Sequence, residues 1–435
     1  MSNLEATVSE RSTSSDPDAH RARGVVAVPE AALPRRLRRI LSLDDLEAAA
    51  RRHLPRPIFG YVSGAAETNQ TRNDNRAVFR EFGFRPRILT DVSRRSQQVT
   101  LFGHTYAAPF GLAPMGISAL VAYRGDLVLA RAAARANIPM VMSGSSLIRL
   151  EEVASVAPGS WFQAYLPGEP PRIAALVERV ARAGFGTLML TVDTAVLANR
   201  ENNVRSGFST PLRPSLRLAW DGVTHPRWSI GTFAKTLWRH GLPHFENSYA
   251  ERGAPIVAQN VTRDFGMRDH LNWEHLAQIR RQWNGHLVVK GIMRGEDARI
   301  ARDHGVDGIV VSNHGGRQLD GTVSPLRVLP EIVAAAGDMP VMMDSGIRRG
   351  SDVLKALAFG AQLVFVGRPF LYAAAIGGEL GVLHAIDILS TEINRNMGLL
   401  GINRLAEMRP ELLFRLNDGT QISDASNGGG EHAVI

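Results

Sequence analysis

No cysteine occurs anywhere in the chain, which excludes a disulfide framework, a thiolate nucleophile and a cysteine-held iron–sulfur cluster. Redox chemistry would then need an organic cofactor or a metal held by other ligands. Lysine is nearly absent too, occurring only at Lys235, Lys290 and Lys355. The net charge of +8 is therefore almost wholly arginine. It is spread along the chain without the basic stripe or helix-turn-helix pattern of a nucleic-acid binder, so no nucleic-acid partner is expected. No apolar run approaches the roughly 20 residues that span a bilayer. The first residues, rich in Ser, Asp and Arg, lack the apolar core of a secretory signal, and a cytoplasmic location is expected.

What is present is 435 residues, 44% of them hydrophobic, enough for one large domain or two ordinary ones. Residues 1–33, with the tract Ser12-Thr13-Ser14-Ser15 and scattered charge, read as a disordered tail. Beyond the basic tract Pro34–Arg39, Ser42 stands three residues before Asp45. That spacing predicts a capping box opening an amphipathic helix through Arg52. From Pro109 onward, short apolar runs alternate with longer helical patterns, the signature of βα units on a parallel sheet. Eight strands are expected: Phe110–Ala113, Met140–Ser143, Trp161–Ala164, Thr187–Val192, Leu287–Lys290, Gly308–Ser312, Val341–Asp344 and Leu363–Gly367. Helices are expected over Asp126–Ala136, Ile173–Ala183, Trp273–Trp283, Ala298–His304 and Ser351–Phe359. The fold class is α/β, a (β/α)8 TIM barrel over residues 34–405 with an N-terminal helical segment, and 406–435 form a C-terminal tail. Chemistry in such a barrel sits at the C-terminal ends of the strands.

About 80 residues separate Asp193 from the helix near Asn272, too many for an ordinary βα loop. This extended loop, 194–271, holds Trp220, Trp228 and Trp238 among Arg217, Arg227, Lys235, Arg239 and His240. Mixed aromatic and basic residues fit an interfacial membrane contact through 215–248. A lid or a subunit contact fits them as well.

After the sixth strand comes Ser312-Asn313-His314-Gly315-Gly316-Arg317-Gln318-Leu319-Asp320. It sets a group that titrates near neutrality beside a planar cation able to grip a carboxylate with two bonds. The run Asp344–Gly350 closes strand seven with two arginines, Ser351 stands where it can cap the next helix, and Gly367-Arg368 closes strand eight. Loops after strands seven and eight are where such barrels hold phosphate. Lys290, ending strand five, would need a negative partner if buried.

These motifs come in a fixed order: Tyr61 before Ser63-Gly64-Ala65-Ala66-Glu67, Pro114, Gln163-Ala164-Tyr165, Thr191-Val192-Asp193, Lys290-Gly291, the His314–Arg317 tract, Asp344–Gly350 and Gly367-Arg368-Pro369. Over roughly residues 42–405 the chain resembles the FMN-dependent 2-hydroxy-acid oxidase and dehydrogenase family, which includes glycolate oxidase, L-lactate dehydrogenase and mandelate dehydrogenase. The loop Asp221–Trp228 is most similar to the mandelate and lactate dehydrogenase branch. The resemblance implies oxidation of an L-2-hydroxy acid, lactate- or mandelate-like, to the 2-keto acid. Electrons would pass from reduced FMN to a quinone-type acceptor or oxygen. It also implies a homotetramer and peripheral attachment at the cytoplasmic face of the inner membrane. Arg317 favours this over the branch that acts on modified peptides, which lacks it.

Residue by residue, the resemblance makes His314 the base, Asp193 its partner, Arg317 and Arg200 the carboxylate anchors, and Tyr61 and Tyr165 donors to carboxylate and hydroxyl. It assigns FMN to Pro114, Met115, Gly116, Ser143, Gln163, Thr191, Lys290, Ser312, Asp344, Ser345, Gly346, Ile347, Arg348, Gly367 and Arg368. Lys290 would lie against the pyrimidine edge of the isoalloxazine, and Arg349 is left open. Met115 departs from the threonine frequent at its place. Gly116 follows the dehydrogenase branch, and its small size leads us to expect a substrate bulkier than glycolate and slow reaction with oxygen.

Overall fold

A computed structural model describes residues 29–209, 216–258 and 268–417. The expected tail thus lies mostly outside the described residues. Its last part does not: Glu30–Ala32 form a 3-10 turn and Leu33 is buried.

Eight parallel strands form the centre: β1 (Phe110–Leu112), β2 (Val141–Ser143), β3 (Trp161–Ala164), β4 (Thr187–Thr191), β5 (His286–Ile292), β6 (Gly308–Val311), β7 (Val341–Asp344) and β8 (Leu363–Val366). From β2 to β8 each strand pairs with the next in sequence, and β8 pairs with β1. A parallel bridge between Leu112 and Met140 joins β1 towards β2 and rounds the ring. All eight expected strands are present, with ends moved by a residue or two. β5 runs further than expected because a bulge between Lys290 and Ile292 carries it on. The five expected helices appear as Gly125–Arg135, Pro170–Arg182, Trp273–Gln282, Gly295–Asp303 and Gly350–Ala358.

Strand side chains alternate between the two faces of a sheet, and here the alternation builds the site. Val141, Trp161, Met189, Val288, Val310 and Met342 form one apolar layer inside the barrel. Two residues further along, on the same face, stand Ser143, Gln163, Thr191, Lys290, Ser312 and Asp344, all buried and all polar. The hairpin of Val99–Leu101 and His104–Tyr106 supplies Leu101 and Tyr106 to the apolar layer. The barrel is thus apolar in its middle and polar towards one end.

The N-terminal helix Leu43–His53 opens on the expected Ser42–Asp45 capping box. It packs against the long helix Arg368–Leu400, which bends at Gly378 and also contacts Gly125–Arg135. That long helix has the length and apolar composition of a membrane span, but its apolar side chains are largely buried in the protein. The boundary expected at residue 405 needs correction, because Leu413–Arg415 pair antiparallel with Phe82–Phe84 and extend the ordered fold. Ser351 is not a helix cap either. The helix starts at Gly350, and Asp352 accepts from the backbone N–H groups of Arg348 and Arg349 at 2.9 and 3.0 Å.

The long loop after β4 contains helices over Glu201–Ser206, Leu216–Thr224 and Lys235–His240, with a π-helical stretch Ser229–Ala234 before the last. Trp220 and Trp238 are 68% and 82% exposed, but Trp228 is 7% exposed and does not belong with them. Its indole N–H donates to Leu120 O at 2.8 Å and its ring stacks on Phe233. Lys235 lies 4.0 Å above the Tyr123 ring, whose hydroxyl meets His240 Nε2 at 3.0 Å. One tryptophan therefore fastens the segment to the barrel while two face outward.

Candidate active site

The loops after β4 and β6 bring Asp193 and His314 together. Gly291 sits in the β5 bulge at φ +112°, and a Cβ there would lie 2.8 Å from Asp193 Cβ, so this position requires glycine for both its conformation and the close approach. His314 is itself left-handed, at φ +57°, an uncommon conformation for a residue with a side chain. Its Nδ1 lies 2.9 Å from Asp193 Oδ1. A carboxylate only accepts, so Nδ1 carries the proton and Nε2 keeps its lone pair. Burial holds His314 below the ordinary imidazole value and outweighs the opposite pull of Asp193. For Asp193, burial favours the neutral acid, but His314 and Lys290 overcome it and the carboxylate stays ionised. The resting pair is neutral imidazole and carboxylate.

Lys290 donates to Ser312 Oγ at 2.8 Å and lies 3.1 Å from Asp344 Oδ2. Burial alone would lower its pKa, yet Asp344 and Asp193 raise it above the ordinary value. A permanent buried ammonium results. Ser345, at φ +81°, donates to Asp344 Oδ1 at 2.8 Å and accepts from Gly315 N at 3.1 Å. The loops after β6 and β7 are thereby tied together.

Arg317 Nη1 donates to the carbonyls of Tyr61 and Gly64 at 2.7 and 2.9 Å, and the guanidinium lies 4.9 Å over the Tyr61 ring. Burial, with Arg200 nearby, holds it at about 10. Arg200 Nε donates to Arg317 O at 3.0 Å, and its Nη2 donates to Gln318 Oε1 at 2.6 Å. Gln318 Nε2 in turn donates to Asp193 O at 3.1 Å. The buried Tyr165 hydroxyl is pushed above its ordinary value by desolvation and Asp193, so it stays a donor.

At the other end, Arg368 donates to Val62, Gly64 and Gly315 carbonyls at 2.8 to 3.0 Å. Burial and Arg317 push it down to about 9. Arg348 is likewise lowered by burial and by Arg76. Buried like charges of this kind call for an anion. Arg349 turns instead to Glu392 at 2.9 Å, which closes the question left open for it. The helix end contributes less than the sequence implied, because the N–H groups of Arg348, Arg349 and Gly350 already meet Asp352 and Glu392. Gly346 stands at φ +89° where any Cβ would overlap the Asn75 carbonyl.

One cavity of about 670 Å³ connects these groups. Its wall includes Tyr61, Pro114, Met115, Gly116, Tyr165, Thr191, Arg200, Lys290, His314, Arg317, Asp344, Ser345, Gly346, Ile347, Arg348, Gly367 and Arg368. Ser143, Gln163, Ser312 and Asp193 do not line it. Ser312 sits behind, accepting from Lys290 Nζ and from His314 N. Gln163 Oε1 accepts from Ser143 Oγ at 3.1 Å. Among the described residues, the buried Gln163 Nε2 and Thr191 Oγ1 have no hydrogen-bond partner. Such atoms are costly unless something satisfies them. A phosphorylated ring cofactor with polar edges fits: two half-buried arginines for its phosphate, and the unsatisfied Thr191 hydroxyl and an ammonium for its ring.

Three residues escaped the sequence reading. Gln318 was inside a quoted motif, but its clamp between Arg200 and Asp193 needs the fold. Tyr372 lies one helical turn beyond Arg368, its hydroxyl pushed up to about 12 by burial and Glu47. Arg268 reaches the cavity from the end of the long loop, where no periodicity marks it.

A family model described as FMN-dependent dehydrogenase matches residues 50–415. The chain is 37% identical over 399 residues to (S)-mandelate dehydrogenase of Pseudomonas putida, covering 91% of this chain and 99% of that protein. It is 39% identical over 384 residues to L-lactate dehydrogenase of Stenotrophomonas maltophilia (strain R551-3), covering 87% and 99%. The solved structure of monotopic membrane protein (S)-mandelate dehydrogenase superposes with a TM-score of 0.80 at 37% identity, covering 87% of this chain and 100% of that one. Mandelate oxidase with benzoyl-formic acid superposes with a TM-score of 0.70 at 35% identity, covering 85% and 97%.

Proposed function

The chain belongs to the FMN-dependent dehydrogenase family and is an FMN-dependent 2-hydroxy-acid dehydrogenase or oxidase, and we propose that it oxidises an L-2-hydroxy acid of lactate or mandelate type with His314 as base. The 2.9 Å contact between His314 and Asp193 carries this reading. It fixes the tautomer and leaves Nε2 as the only basic atom of the ring.

Arg317 and Arg200 bind the substrate carboxylate. Tyr61 and Tyr165 donate to the carboxylate and to the oxygen that becomes the carbonyl. Arg348 and Arg368 would hold the phosphate of FMN and Lys290 and Thr191 would meet its ring edge, and the bound flavin would supply the acceptor for the two electrons and the second proton. As the hydroxy acid becomes the keto acid, one proton leaves to Nε2 of His314, and Asp193 stabilises the imidazolium. Lys290 would present its ammonium to the ring edge of the flavin, a fixed positive charge suited to an anionic ring. A quinone-type acceptor or oxygen completes the cycle.

Anaerobic mixing of the purified protein with lactate, mandelate and glycolate tests this through the flavin absorbance. Lactate or mandelate should bleach it faster than glycolate, because Gly116 leaves room beside Met115 and Tyr61. Reoxidation by oxygen should be slow. Glycolate as best substrate with rapid peroxide release would overturn the Gly116 argument, and no bleaching by any of the three would overturn the reaction.

We further propose that the segment Leu216–His240 rests on a membrane surface. Trp220, Val223, Ile230 and Trp238 are exposed, near Arg227, Lys235 and Arg239. Replacing both Trp220 and Trp238 by serine should weaken binding to phosphatidylglycerol vesicles by about 10- to 100-fold, the effect of losing two inserted apolar side chains. Turnover with a soluble dye should persist. Unchanged partition to vesicles would refute the membrane contact.

A further inference from the structure

Residues 61–71 meet the loop after β6 at three successive points. Arg317 donates to the Tyr61 and Gly64 carbonyls, Gly316 O accepts from Ala66 N at 2.9 Å, and Asp320 takes the end of the segment. Asp320 Oδ2 accepts from Thr68 Oγ1 at 2.6 Å and from the N–H groups of Thr68 and Gln70 at 3.0 and 3.3 Å. Its Oδ1 accepts from Thr71 N at 2.9 Å. Gln70 and Thr71 open the helix Gln70–Ala77, and the residue before them, Asn69, is left-handed and gives no side-chain cap. Asp320 therefore caps this helix from 250 residues further along the chain.

A carboxylate in that place satisfies N–H groups that have no partner within the helix and meets the positive end of its dipole. Desolvation alone would raise the Asp320 carboxyl, yet the bonds from Thr68, Thr71 and Gln70 hold it at about 2. The cap is ionised at neutral pH. The same helix is fastened to the same loop further along, where Asn75 and Asn313 exchange two amide bonds of 2.8 Å. Gly316, at φ +73°, has Arg72 N only 2.6 Å from where a Cβ would stand, so the two backbones meet without a side chain between them. Glu67 N donates to Asn199 O at 3.0 Å, next to Arg200. Both carboxylate anchors are thus hung on residues 61–71.

We propose that Asp320 is a positioning residue for the substrate carboxylate: by capping the helix Gln70–Ala77 it fixes the register between residues 61–71 and the loop after β6, and with it the spacing of Tyr61, Arg317 and Arg200. This rests on the reaction proposed above. Neither Asp320 nor Thr68 lines the cavity, so the effect passes through the residues they hold. Without the cap, the Tyr61 and Gly64 carbonyls shift against the Arg317 guanidinium, and the planar fork loses the orientation that two parallel bonds to a carboxylate require. The base is spared, because the bond from His314 to Asp193 involves no atom of residues 61–71. A carboxylate contact serves ground and transition states alike, so its loss falls on KM.

Asp320→Asn tests the role, since it keeps the shape, removes the charge and turns one acceptor into a donor facing the same N–H groups. In the holoenzyme it should raise KM for lactate or mandelate, and the Kd of pyruvate or benzoylformate read from the flavin spectrum, by about 10-fold. The limiting rate of flavin reduction should stay within about threefold of wild type, with its acid limb unshifted and FMN bound. Thr68→Val, which removes only the hydroxyl contact, should show the same pattern at smaller size. Arg327→Gln is the control for stability: Arg327 ties Asp74 and Glu81, beside the same helix, to the helix Pro325–Ala336 at 2.8 and 2.5 Å, away from the cavity. It should lower Tm and leave KM and keto-acid binding unchanged. Unchanged KM and keto-acid Kd in Asp320→Asn, or an equal rise in Arg327→Gln at matched loss of Tm, overturns the positioning role and leaves the reaction standing. Should Asp320→Asn fail to fold, Thr68→Val decides by the same comparison. Wild-type flavin that neither hydroxy acid bleaches overturns the reaction and this role with it.

Discussion

Replacing His314 by alanine lowers kcat/KM for the hydroxy acid by roughly 10⁴-fold, the upper range for loss of a positioned general base, while FMN remains bound. Arg348 and Arg368, proposed above to hold the phosphate, are untouched by the change. In the unmodified protein the base works only when neutral, and burial keeps its pKa below the ordinary imidazole value. The neutral base is lost by protonation, so kcat/KM is flat through neutral pH and falls only as the pH drops through that lowered value. Rapid-reaction spectroscopy of flavin reduction against pH measures both. A reduction rate within tenfold of wild type in the alanine variant, or an acid limb above the ordinary histidine value, would remove His314 from its role.

Arg317→Ala should cost about 10³-fold in kcat/KM, within the range for truncating one partner of a desolvated charge pair. Most of this should appear as a raised KM. The substrate carboxylate keeps its charge throughout the reaction, so the contact stabilises ground and transition states alike. Arg317→Lys should recover little, since an ammonium cannot both hold the Tyr61 and Gly64 carbonyls and meet a carboxylate with two parallel bonds. Steady-state kinetics across a wide substrate range separates the two constants. An unchanged KM would show that the carboxylate is held elsewhere. A scaffold that keeps FMN only structurally predicts a cellular role indifferent to both substitutions.

The strands were legible because each is a short apolar run bounded by turn residues, and the strand ends were less so because hydrogen bonding, not hydropathy, decides them. β5 shows this best: its pattern stops at Lys290, yet the bulge at Gly291 carries pairing on to Ile292. Trp228 misled because an exposed and a buried indole look alike in sequence. Ser351 misled because a serine near a helix start is an ordinary cap, and Asp352 took that part through its own bonds.

The alternation of short apolar runs and helical patterns determined the barrel by itself, and the resemblance carried by the ordered motifs implied the cofactor class and the residues worth naming. Those properties depend on residue type and on spacing along the chain. The tertiary structure alone decided which named residues face the cavity and which stand behind it, that Arg349 turns to Glu392, that Gln318 holds Arg200, and that Arg268 arrives above Tyr165. Each of these depends on groups more than 40 residues apart meeting within a few ångströms. No local pattern encodes such a meeting, because closing the barrel is what creates it.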